Sequence, residues 1–135
     1  MKVLVLDCNT WVSRGLERTL RVLGHEVRCP ASASAARATL EADPAVDVIL
    51  SAQHLDAGER GTEFLRWAEA HVPGARRVLI SGTHCPPDFV EQPGTQCFQA
   101  KPFGRGELEA LLALSPTHLH RRTSPAREPA EGNTE

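Results

Sequence analysis

The hydrophobic positions of this chain follow two alternating rhythms. "KVLVLD", at the N-terminus, is a short aliphatic run that ends in a polar turn, "DCNT". A run apolar on both faces predicts a buried strand of a parallel sheet. The rhythm then lengthens. In "WVSRGLERTLRVLG", Val12, Leu16, Leu20 and Leu23 recur at helical spacing, with Arg and Glu between them. Asn9 or Thr10 can cap this helix and Gly24 can end it. "HEVRC" predicts a second strand. "SASAARATLEAD" predicts a helix with Ala33, Ala36 and Leu40 on its inner face, stopped by Asp43-Pro44. "VDVILSA" predicts a third strand. A long polar loop leads to a helix over "GTEFLRWAEAHV", ended by Pro73-Gly74. "RRVLISG" and "QCFQAKPF" predict strands four and five, and "GELEALLALS" the last helix, with Leu108, Leu111 and Leu112 inward.

Strand and helix therefore alternate five times. That order implies an α/β fold, an open, doubly wound parallel sheet with helices on both faces. The weakest unit is the fourth helix. "THCPPDFVEQPGTQ" carries Pro86, Pro87 and Pro93, which leave room for about one or two turns. The domain is expected to span residues 1–114. The stretch 115–135, rich in Pro, charge and small residues, reads as a disordered tail. The pair His118 and His120 in it reads as solvated, and "RRTSP" is a motif common by chance.

Composition narrows the function classes. The 135 residues suit one domain, and 41% hydrophobic with 24% charged residues describe a soluble globular chain. A net charge of −2 offers no electrostatic reason to expect nucleic acid or a membrane surface as partner. The N-terminal apolar run is too short for a signal segment, so the expected compartment is the cytoplasm. Cys8, Cys29, Cys85 and Cys97 are scattered with no C-x-x-C pair, which predicts free thiols and no metal site. Cys8, near the start of the first helix, admits a redox reading. No cofactor is expected: "DCNTWVSRG" lacks the glycine pattern of a nucleotide-phosphate loop.

Four stretches together resemble the receiver domain of two-component response regulators. These are "VLVLDCN", "VDVILSAQHLDAGERGTEFL", "RRVLISGT" and "CFQAKPF", within residues 2–114. The resemblance implies the flavodoxin-like (CheY-like) sheet order 2-1-3-4-5. In an open parallel sheet, chemistry gathers at the carboxyl ends of the strands beside the switch in strand order. Those ends carry Asp7, Cys8, Ala52, Ser81 and Lys101. In the family, an aspartate on the third strand accepts a phosphoryl group. An acidic pair holds a divalent cation, and a Lys and a Ser or Thr bind the aspartyl phosphate. Asp7, Ser81 and Lys101 keep three of these positions. Cys8 stands where the second acid belongs, and Ala52 where the phosphoacceptor belongs. The resemblance also makes Phe98, three residues before Lys101, a switch aromatic. It makes the fourth helix, the fifth strand with Gln99, and the fifth helix the partner surface.

A methyl group cannot be phosphorylated, and one carboxylate with a thiol is a poor set for a hard cation. The first expectation is a stand-alone pseudo-receiver: a non-enzymatic signalling module that binds protein partners without aspartyl phosphorylation. The alternative is an atypical single-domain response regulator of a phosphorelay, phosphorylated at Asp56 or Ser51. Strand alternation points Ser51 away from Ala52, and Asp56 reaches the crevice only if its loop folds back. A small flavodoxin-like enzyme or nucleotide binder rests on fold analogy alone. Lys101 is expected to pair with Asp7.

Overall fold

The structure is a computed structural model that describes residues 1–55, 58–92, 94–101 and 103–113. The expected tail, with His118, His120 and the "RRTSP" motif, lies outside the described residues, as does Asp56. The elements run β1 (Lys2–Leu6), α1 (Thr10–Val22), β2 (Glu26–Arg28), α2 (Ala33–Ala42), β3 (Val48–Ala52), α3 (Gly61–His71), β4 (Arg76–Ser81), β5 (Gln96–Ala100) and α4 (Arg105–Ala113). All neighbouring strands are parallel, and their order is β2-β1-β3-β4-β5. This is the predicted doubly wound sheet. Among the described residues no helix is long and apolar enough to cross a membrane.

The strand alternation sorts the core into two layers. Val3, Val5, Leu50, Val78 and Ile80 meet Leu16 and Leu20 of α1 and Leu108, Leu111 and Leu112 of α4. Leu4, Leu6, Ile49 and Leu79 meet Ala33, Ala36 and Leu40 of α2 and Phe64, Leu65 and Ala68 of α3. Caps fix where the helices begin. The Asn9 side chain accepts from the backbone N–H of Trp11 at 3.0 Å and of Val12 at 3.3 Å. Ser32 does the same for Ala35. Gly24, at φ +92°, closes α1 in a conformation that costs other residues more.

The fourth of the five predicted helices does not form. Between β4 and β5 the described residues make turns and an isolated Gln92–Gln96 bridge but no helix; the first turn is closed by the Phe89 N–H on the Pro86 carbonyl at 3.0 Å. Pro86 and Pro87 supply no N–H, and a residue before proline avoids the helical region, so nucleation fails. The last helix in sequence is therefore α4.

Candidate functional site at the strand ends

β1, β3, β4 and β5 end at one edge of the sheet, and the residues just beyond them surround a depression of about 190 Å³. Asp7, Cys8, Ala52, Ser81 and Lys101 all line it, with Gln53 and His54. Strand register alone brings together positions that lie up to 94 residues apart.

Asp7, Ser81 and the Cys8 thiol all bond within the protein. The Lys101 ammonium donates to Asp7 Oδ2 at 2.8 Å; the Asp7 side chain is 3% exposed and that of Lys101 27%. This is the predicted pair, open on the lysine side. Asp7 Oδ1 accepts the Asn9 N–H at 2.9 Å. The Lys101 backbone is tied to β4 by its N–H on the Ser81 carbonyl at 2.8 Å. The Ser81 hydroxyl is 2.9 Å from the Thr83 hydroxyl and accepts the Thr83 N–H at 3.1 Å, a local turn that terminates the strand. The Cys8 thiol donates to the His54 carbonyl at 3.3 Å.

The β3 side is closed by backbone. A Cβ on Gly61 would lie 2.0 Å from the Ala52 carbonyl oxygen, so only glycine lets α3 start this close to β3. The Gly61 N–H donates to the Gln53 carbonyl at 2.7 Å, and the Thr62 N–H to Gln53 Oε1 at 3.1 Å. Two of the N–H groups left without helical partners at the start of α3 are thus taken by Gln53. Sequence reasoning passed over Gln53. Its signal was a polar residue immediately after a buried strand. Ser51 is fully buried, and its hydroxyl donates to the Ala52 carbonyl at 2.9 Å. It does not line the crevice.

The donor set does not fit the divalent cation that the fold would imply. Asp7 supplies one carboxylate, already bonded to an ammonium, and the neighbouring side chain is a thiol. A hard cation with octahedral preference needs several oxygens. Among the described residues, no group of three or more His, Cys, Asp or Glu is placed to hold a metal ion.

Phe98 and Gln99 do not share a surface as a switch-and-partner pair would. Alternation along β5 sends them to opposite faces of the sheet. Phe98 is half-buried and packs against the α2/α3 layer, and its N–H donates to Glu91 Oε1 at 3.0 Å. Gln99 is buried, with its amide on the Ala100 carbonyl at 3.1 Å. All four cysteines are free thiols. Cys97 lies in the core, whereas Cys8 and Cys85 are exposed. Burial, with the Glu17 carboxylate beside it, pushes the half-buried Cys29 thiol up to about 11.

No family model matches the chain, and no curated protein matches it in sequence. Solved structures do match. A CheY-like response regulator receiver domain protein from Methanospirillum hungatei superposes with a TM-score of 0.76 at 21% identity, over 90% of this chain and 97% of that one. The chemotaxis protein CheY4 of Vibrio cholerae gives 0.72 at 23%, over 82% and 94%. An uncharacterised protein from Neptuniibacter caesariensis gives 0.76 at 20%, over 99% and 96%. At such identities the likeness establishes the fold: this chain has the receiver-domain architecture.

Proposed function

We propose that the chain is a pseudo-receiver, a cytoplasmic signalling module that binds protein partners and is not phosphorylated on an aspartate. The observation that carries this reading is Ala52. It lies at the end of β3, inside the crevice, where a receiver needs a carboxylate, and it offers a methyl group. The Lys101–Asp7 ion pair at 2.8 Å supports it, because each charge already has a partner without a phosphoryl group. The burial of Ser51 argues against phosphorylation there. We assign no enzymatic activity: the one thiol of the crevice, Cys8, is bonded to the His54 carbonyl and not to its imidazole. The partner surface in this reading is the α2/α3 side of the sheet edge at half-buried Phe98, with the loop that precedes β5; Gln99, buried on the other face, is not part of it. That loop is short of a helix, so the part of a receiver that moves on phosphorylation is reduced.

The test is phosphorylation by acetyl phosphate in the presence of Mg²⁺, read by intact-protein mass. The wild-type chain should gain no phosphoryl mass. The double variant Ala52→Asp, Cys8→Asp should gain it, because only the acceptor and one cation ligand were missing. A phosphoryl adduct on the wild-type chain would overturn the proposal and would send the search to Asp56.

A further inference from the structure

A second cavity adjoins the crevice and shares Lys101 with it. It is a cleft of about 390 Å³ between α1 and the start of α4. Its floor is Val12, Leu16 and Leu108, and its walls are Trp11 and Phe103. Gly15 and Gly104 keep it open, because neither puts a side chain into the space. The Trp11 side chain is 89% exposed, the most exposed large hydrophobic residue among those described. Such a side chain standing over an open apolar cleft gains by being covered. The volume falls in the range of small-molecule sites, about 300–1,000 Å³.

The polar groups of the cleft set the charge of what it takes. Two cations, Lys101 and Arg105, line it, and no carboxylate does. Glu107 is turned onto the Gly104 N–H at 2.9 Å, and Glu109 meets Arg105 only at 3.9 Å on the exposed side of the helix. A lysine ammonium has three donors, and Asp7 takes one of those of Lys101. Two remain for an anion arriving from the cleft side, so binding there does not require breaking the pair with Asp7.

We propose that this cleft is a binding site for a small aromatic monocarboxylate. The ring system lies between Trp11 and Phe103 over Leu16 and Leu108, and the carboxylate meets Lys101 and Arg105. A second copy of this chain is a poorer occupant. The α1 face that would enter carries Arg14, Arg18 and Arg21 around a single acid, Glu17, which is held by Arg21 at 2.8 Å. Like charges would then meet the cationic rim. The binding site stands independently of the pseudo-receiver reading: phosphorylation of Ala52-bearing protein and anion binding in the cleft fail in separate assays.

The experiment is an amide NMR titration of the intact protein with 2-naphthoate and, in parallel, with the neutral 2-naphthamide. Saturable shifts are expected at Gly15 and Gly104, with the carboxylate bound about tenfold more tightly than the amide. Gly15→Leu fills the cleft from an exposed helical position with nothing within 4 Å of its Cβ, so the fold is kept and binding is lost. Lys101→Met should weaken the carboxylate about fivefold or more and leave the amide unchanged, whereas Asp7→Asn, by removing the competing charge, should tighten it. Equal affinity for the two probes, wild-type binding by Gly15→Leu, or no saturable shift up to about 10 mM overturns the proposal. So does a shift of the Gly15 and Gly104 amides with protein concentration alone, which would make the occupant a second copy.

Discussion

The two faces of the sheet are covered differently over β4 and β5. On one face α4 lies across the strands and seals Val78 and Ile80 with Leu108, Leu111 and Leu112. On the other, α3 covers β3 and β4, but nothing helical follows it. The described residues between β4 and β5 do the work with one aromatic anchor, Phe89, which is 8% exposed in the same layer as Leu79 and Phe64. Polar ties hold the rest. Gln96 donates to the Val90 carbonyl at 2.7 Å and accepts from the buried Arg77 at 2.9 Å. Both faces keep a hollow, the α1/α4 cleft of about 390 Å³ and one of about 180 Å³ on the loop side, but the loop side also leaves a polar atom over: Thr62 Oγ1, which lines its hollow, is the one buried side-chain polar atom without a partner among the described residues. A helix covers a sheet with a continuous stripe of side chains, whereas a loop covers it at points.

Three substitutions, and a fourth as control, break or sharpen that contrast. The largest effect is expected at Gly61, where helix meets strand backbone to backbone. Gly61→Ala should destabilise the domain by more than about 4 kcal/mol in urea denaturation, because the obstructing atom is a carbonyl oxygen and not a movable side chain. A loss below about 1 kcal/mol would show that this junction has the slack we ascribe only to the loop. Next is Phe89→Ala, expected to cost about 3 kcal/mol, at the lower end for a buried aromatic because a loop can collapse into the space. Leu108→Ala on the helical face is its control. A cost for Phe89→Ala well below that of Leu108→Ala would mean that the loop does not seal its face. The smallest effect is a gain. Thr62→Val removes an unpartnered buried hydroxyl at nearly constant volume and should stabilise by about 1 kcal/mol. Destabilisation of the same size would show that the hydroxyl has a partner, such as an ordered water in the hollow.

Burial of Cys29 gives the helical face a pH signature. Its folded thiol titrates at about 11, above the ordinary thiol range, so above pH about 9 the unfolded chain releases its proton first. Stability should therefore decline as pH rises from about 9 toward 11, and a Cys29→Ala variant should lack that part of the slope.

The sequence by itself determined the elements and their order. Alternation of two hydrophobic periods, caps such as Asn9, and the prolines at 86 and 87 are local signals, and each acts through its own backbone or the next turn. The five positions at the strand ends were legible for the same reason, since a parallel sheet of known order must bring its carboxyl ends together. The complete loss of the fourth helix was only half legible. Proline limits a helix locally, but whether one turn survives depends on what anchors the segment, here Phe89 in a core built from β3, β4 and α3. The separation of Phe98 from Gln99 was within reach of simple alternation. The role of Gln53, the approach of Gly61 to Ala52, and the cleft between α1 and α4 were not. They are distances between segments far apart in the chain, set by how closely two elements pack, and no residue spacing along the sequence encodes them.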